Sequence, residues 1–160
     1  MKRMLLLLCA TIILFGCNQS NKVTYSEFVA FGSDGWDPMC TVGFSPYPMD
    51  SVVKKGDKFN LILTLRYTAK DLTQVIPLEI TEEDENGVIR TERRSIRLCD
   101  KDGDPTGNKG IALYEISDTL HSHLSLPDGY SLSIQSLSPP ENTLCLRNLG
   151  ITLVRSEKKE

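Results

Sequence analysis

Along most of the chain, apolar side chains return at every second position. In KFNLILTLRYT, Phe59, Leu61, Leu63, Leu65 and Tyr67 fall on one face and Asn60, Ile62, Thr64 and Arg66 on the other, the period of a strand with one buried face. VIPLEIT sets Ile76, Leu78 and Ile80 against Pro77 and Glu79. Its proline predicts a place at a sheet edge, because proline has no N–H to give a neighbouring strand. GYSLSIQSL alternates Tyr130, Leu132 and Ile134 with Ser131, Ser133 and Gln135, the cleanest strand in the chain. Nearer the C-terminus two phases collide. Leu144 and Leu146 share one, while Leu149, Ile151 and Leu153 share the other, so a bulge or kink is predicted around Arg147-Asn148.

Turn chemistry separates these runs. Glu85-Asn86-Gly87 carries the Asn-Gly pair that favours a tight hairpin with positive φ. Pro127-Asp128-Gly129 and Ser138-Pro139-Pro140-Glu141-Asn142 are turn formers of the same kind. No sustained amphipathic helix, internal repeat or second domain is visible. The pattern predicts an all-β chain: a single-domain antiparallel β-sandwich, jelly-roll or immunoglobulin-like, of about eight strands. It would occupy residues 24–155, with 156–160 a polar tail.

The apolar run Met4–Phe15 breaks the alternation. It follows Lys2-Arg3 and precedes a polar stretch. A spanning helix needs about 20 apolar residues, so this run is too short to cross a bilayer and has the length and flanks of a secretory signal. It lacks the small-residue cleavage pattern, and Leu14-Phe15-Gly16-Cys17 instead resembles the bacterial lipobox. That resemblance implies a signal peptide over residues 1–16. It also implies diacylglycerol in thioether linkage to Cys17 as the new N-terminus, and a lipidated tether over 17–23. One acyl chain anchors a protein marginally, and two or three anchor it stably.

Cleavage before Cys17 leaves 144 of the 160 residues, the size of one domain with a real core. Lys2 and Arg3 leave with the signal, so 16 basic residues face 21 acidic ones. A net charge of −5 gives no reason to expect nucleic acid. Cys40, Cys99 and Cys145 remain, an odd number for an oxidising compartment. One disulfide and buried apolar thiols both fit, and no two of the three have zinc-ligand spacing.

Four stretches bear on chemistry. Asp100, Asp102 and Asp104 are spaced like the first three ligands of a calcium loop, but Pro105 and Ile111 stand where that loop needs glycine and a carboxylate. Turn geometry is the main reading and a weak calcium site the alternative; no other metal site and no cofactor are expected. His121-Ser122-His123 would place two imidazoles on one face of a strand, read as exposed histidines. Arg90, Glu92 and Arg94 would share a face of a strand that also carries Arg93 and Arg97. Such a strand is either a solvated edge or a ribbon docking on an acidic partner or on anionic headgroups. Trp36, between Gly35 and Asp37-Pro38, is either core or a sugar-stacking platform. Tyr47, Tyr67, Tyr114 and Tyr130 would assist it only if they converge. No nucleophile-and-base spacing points to a hydrolase.

These pieces resemble, in order, the GldH-type gliding-motility lipoproteins of the Bacteroidota. The residues that carry the likeness are Gly35-Trp36-Asp37, then Leu61–Arg66 followed by Tyr67-Thr68. Next come Leu98, Asp100, Gly103, Gly107 and Gly110, running into Leu113-Tyr114-Glu115. Gly129-Tyr130 and Leu149-Gly150-Ile151 close the pattern. Asp71–Ile76 and Cys145 depart from it and mark a divergent member. The resemblance implies a non-catalytic outer-membrane lipoprotein of the gliding and associated secretion machinery, held by its lipid and working in an envelope protein complex. Asn18–Lys22 lacks the acidic run that resembles a surface-export signal, which implies a periplasmic orientation. Trp36, Arg66 and Tyr114 are the candidate contacts for a ligand or partner. The alternative function is a module that binds a glycan or peptide in the cell envelope, with Trp36 at its site.

Overall fold

The computed structural model describes residues 23–46 and 56–156, so Cys17 and Tyr47 lie outside the described residues. Nine strands occur among those described: β1 (Val23–Ala30), β2 (Val42–Phe44), β3 (Phe59–Tyr67), β4 (Val75–Asp84), β5 (Gly87–Arg97), β6 (Asn108–Lys109), β7 (Tyr114–Leu124), β8 (Ser131–Ser136) and β9 (Leu146–Arg155). Every pairing is antiparallel. The strands form two sheets, β1-β9-β3-β7-β6 and β2-β8-β4-β5. The protein is therefore the β-sandwich that the alternation predicts. Its strand count exceeds eight, and the two-residue β6 is too short to leave a periodic signal. Among the described residues no helix is long and apolar enough to cross a membrane.

The inward phase of each strand builds one core. Leu61, Leu63, Leu65 and Tyr67 of β3 and Leu149, Ile151 and Leu153 of β9 come from the first sheet. Ile76, Leu78 and Ile80 of β4 and Leu132 and Ile134 of β8 come from the second, and all of them are almost completely buried. Truncating one such leucine to alanine costs about 2–5 kcal/mol, a large part of a small domain's stability. The collision of phases near the C-terminus is a bulge. Tyr67 lies opposite Leu146 but Arg66 lies opposite Asn148, which leaves Arg147 as the extra residue and turns both Leu146 and Leu149 inward. Leu144 is exposed in the preceding turn and shares no core phase.

Pro77 corrects one expectation. β4 is an interior strand, between β8 and β5, and not an edge. β8 ends at Ser136, and beyond it Leu137 N–H donates to Pro77 O at 2.9 Å. The bond that proline cannot return belongs to the last rung, after the neighbour has ended, so an interior place costs little. The Asn-Gly hairpin joins β4 to β5 as expected, with Asn86 N–H donating to Asp84 Oδ1 at 2.7 Å and Gly87 at φ 119°. The three described cysteines are free thiols, Cys99 and Cys145 buried and Cys40 exposed. Burial pushes the Cys145 thiol above its ordinary range.

Candidate functional site

The sandwich withdraws Trp36 from any ligand. The residue is 1% exposed, its ring stacks on Phe31 with centroids 5.2 Å apart, and its Nε1–H donates to Cys40 O at 2.9 Å. Gly35 explains the pair: a Cβ there would stand 2.3 Å from Thr143 O, so only glycine lets the Trp36 backbone approach that carbonyl. The sugar-stacking platform is thus overturned; Trp36 is core. Nor do the tyrosines supply one. Tyr67 and Tyr130 are buried, and Tyr114 is half-buried with its ring stacked on Tyr67 at 5.8 Å. Tyr67 Oη donates to Leu98 O and accepts from Gly107 N–H, both at 2.8 Å, fastening the β5–β6 connection to β3.

Arg66 and Tyr114, though on paired strands, point to opposite faces. Arg66 pairs with Glu115 and Tyr67 with Tyr114 in the register, so the tyrosines face the core while Arg66 and Glu115 face solvent. Arg66 Nε donates to Glu115 Oε2 at 2.7 Å, and its guanidinium lies 4.2 Å from the centre of the Phe28 ring. That ring rests on Gly150, where a Cβ would fall 2.3 Å from Phe28 Cδ1. Beside Arg66 and Glu115, the turn between β6 and β7 walls a shallow cleft of about 450 Å³ that also takes in Lys109, Ile111 and Leu113. Ile111 stands fully exposed on its rim. One cation already paired, one lysine and an exposed apolar tip suit contact with another macromolecule.

A second constellation lies between the sheets. Glu82 follows Ile76, Leu78 and Ile80 in the inward phase of β4 and its side chain is 4% exposed. His121 Nε2 faces its two carboxylate oxygens at 2.8 and 2.9 Å, and Tyr130 Oη donates to Oε2 at 2.8 Å. A carboxylate only accepts, so His121 Nε2 carries the proton in this contact. Next to it on β5, Glu92 takes hydrogen bonds from Arg90 and Arg94, and Arg94 reaches across to Asp118 at 3.5 Å and Leu120 O at 3.4 Å on β7. The seam ties the sheets along the side where β5 ends one and only the short β6 ends the other. Burial works to raise the Glu92 carboxyl, but the Arg94 and Arg90 guanidinium groups prevail and hold it below its usual range. Burial, reinforced by Glu82, pushes Tyr130 far above the ordinary tyrosine range. Its oxygen is a hydrogen-bond donor and not a nucleophile in waiting.

His121 is therefore not the exposed histidine that its sequence predicts. β7 shifts register twice against β3, around Leu120 and around Ser122-His123, where His123 adopts φ 57°. The bulges break the period of two, so the imidazoles do not share a face: His121 meets Glu82, and His123 is exposed. The aspartate loop behaves as a turn. Asp100 Oδ1 accepts from the N–H groups of Asp102 and Asp104 at 2.9 and 3.0 Å, and Gly103 has φ 88°. Among the described residues, no three His, Cys, Asp or Glu side chains gather as a metal group.

No protein-family model and no curated protein matches the chain. Among solved structures, that of Eiger TNF from S. frugiperda is similar over 87% of this chain and 96% of its own, at 12% identity and a TM-score of 0.36. That likeness is too distant to support any argument.

Proposed function

We propose that the chain is a non-catalytic, lipid-anchored component of a protein assembly in the bacterial envelope, working in gliding motility and the secretion coupled to it. The observation that carries the proposal is the order of its motifs: the lipobox-like Leu14-Phe15-Gly16-Cys17, then the series from Gly35-Trp36-Asp37 to Leu149-Gly150-Ile151. The anchor sets the domain beside the outer membrane, on its periplasmic side. Three glycines of the series sit where a side chain has no room: Gly35 against Thr143, Gly107 against Glu115 O and Gly150 under Phe28. Their place in the pattern thus has a packing cause, and contact with a partner falls to exposed groups such as Arg66, Lys109 and Ile111.

Deletion of the gene from its own host tests the reading. Colony spreading and release of secreted cargo are expected to fall together and to return with the wild-type gene but not with Cys17→Ser, which leaves the domain unanchored. Normal spreading and normal secretion in the deletion strain would overturn it.

A further inference from the structure

Among the described residues β5 is paired on one side only, with β4. Edge strands in soluble proteins are commonly short, proline-bearing or covered, because a free row of N–H and C=O groups accepts another strand. β5 is 11 residues long and has no proline, and Val88 and Ile89 near its start are 62% and 50% exposed. Its phase is fixed at the far end. Leu98 N–H donates to Gln74 O, which sets residues 90, 92, 94 and 96 in hydrogen-bonded pairs with β4. The main-chain groups of Thr91, Arg93 and Ser95 therefore point away from the sheet. Beyond them Arg97 O already accepts from Thr106 Oγ1, which closes that end.

The charge along this window selects the occupant. β5 carries Arg90, Arg93, Arg94 and Arg97 against Glu92 alone, a net +3 on a chain that is acidic overall. Arg93 lies on the exposed face, where its Nε donates to Glu79 Oε2 at 3.1 Å, and Arg97 makes no ion pair among the described residues. A second copy of β5 would set one +3 strand against another and, paired about the open window, would oppose Arg93 to itself, a destabilising arrangement. An acidic strand instead sets carboxylates opposite Arg93 and Arg97 on the exposed face.

We propose that β5 is a strand-addition site, taking an extended acidic segment of a partner protein through the main-chain groups of Thr91, Arg93 and Ser95. Backbone hydrogen bonds provide the affinity, and carboxylates opposite Arg93 and Arg97 provide the preference. The site stands independently of the anchor and of the machinery proposed above.

The test uses the full mature chain, carrying Cys17→Ser to keep it in solution, and two synthetic peptides alternating valine with glutamate or with lysine. Backbone amide spectra are expected to shift around Thr91, Arg93 and Ser95 with the glutamate peptide, less so at high salt, and not with the lysine peptide. Thr91→Pro removes an N–H that β4 does not use, and is expected to weaken the glutamate peptide about tenfold or more with little change in Tm. If that variant fails to fold, the pair Arg93→Glu and Arg97→Glu, both at exposed positions, is expected to exchange the preference toward the lysine peptide. Absence of shifts along β5 at millimolar glutamate peptide would overturn the proposal. So would equal response to both peptides, self-association through β5, or binding to phosphatidylserine vesicles without any peptide response.

Discussion

Glu82 is a carboxylate in an apolar phase, and its neighbours decide what it is worth. Removing it by Glu82→Ala strands the Tyr130 hydroxyl and the His121 N–H between the sheets. The expected loss is about 2–3 kcal/mol, read as a lower urea midpoint. Tyr130→Phe deletes one donor while His121 still serves the carboxylate, and is expected to cost nearer 1 kcal/mol. Two groups of the seam also set the pH limits of stability. Glu92 is held below its ordinary range in the folded chain. The stability it contributes is therefore complete above the unfolded carboxylate range near pH 4.3 and is lost as pH falls through the lower folded value. Tyr130 is raised, so its contribution is complete below about pH 10 and is lost as pH climbs above it, where the unfolded chain alone releases the proton. Melting temperatures followed against pH should decline at both ends. Glu92→Gln should flatten the acid limb and Tyr130→Phe the alkaline one. Glu82 itself was legible as an inward position, two residues beyond Ile80. Its partner was not, because His121 comes from the other sheet, 39 residues away, and faces inward only through a bulge.

Among the strands, alternation located the interior well wherever a strand has one wet and one dry face. β8 follows its predicted phase residue by residue and β3 does so except at Thr64, which is buried on the outer face, and the clash of phases in β9 marked its bulge at Arg147. It failed where another element changes the rule. Pro77 argued for an edge, but β8 stops before its missing N–H matters. β7 hides two bulges that no local composition announces. Trp36 illustrates the same limit for the site: a tryptophan among polar residues favours core but leaves a platform open, and its stack on Phe31 and the closeness of Gly35 to Thr143 decide for core. Packing between elements also makes a testable coupling at Gly150. Gly150→Ala should displace the Phe28 ring, loosen Arg66 and cost about 1–3 kcal/mol. In a Phe28→Ala background the same change should be close to neutral, so a double-mutant cycle in chemical denaturation should return coupling of about 1 kcal/mol or more. Additive effects would show that the ring does not rest on that glycine.

At the scale of the whole molecule, the two sheets close on one core built from the inward phases of β3, β4, β8 and β9, while Met39, Val88, Ile89 and Ile111 stay exposed among the described residues. What remains outside the core is a cleft beside Arg66 and Glu115 and the basic edge β5. The proposed role is that of an anchored body that holds partner proteins. The measurement that tests this most directly is recovery of the lipidated protein from its own membranes in mild detergent, followed by mass spectrometry of what accompanies it. Stoichiometric gliding or secretion-channel subunits in the preparation are the expected result. Recovery of the protein alone, from a preparation in which those complexes remain intact, would contradict it.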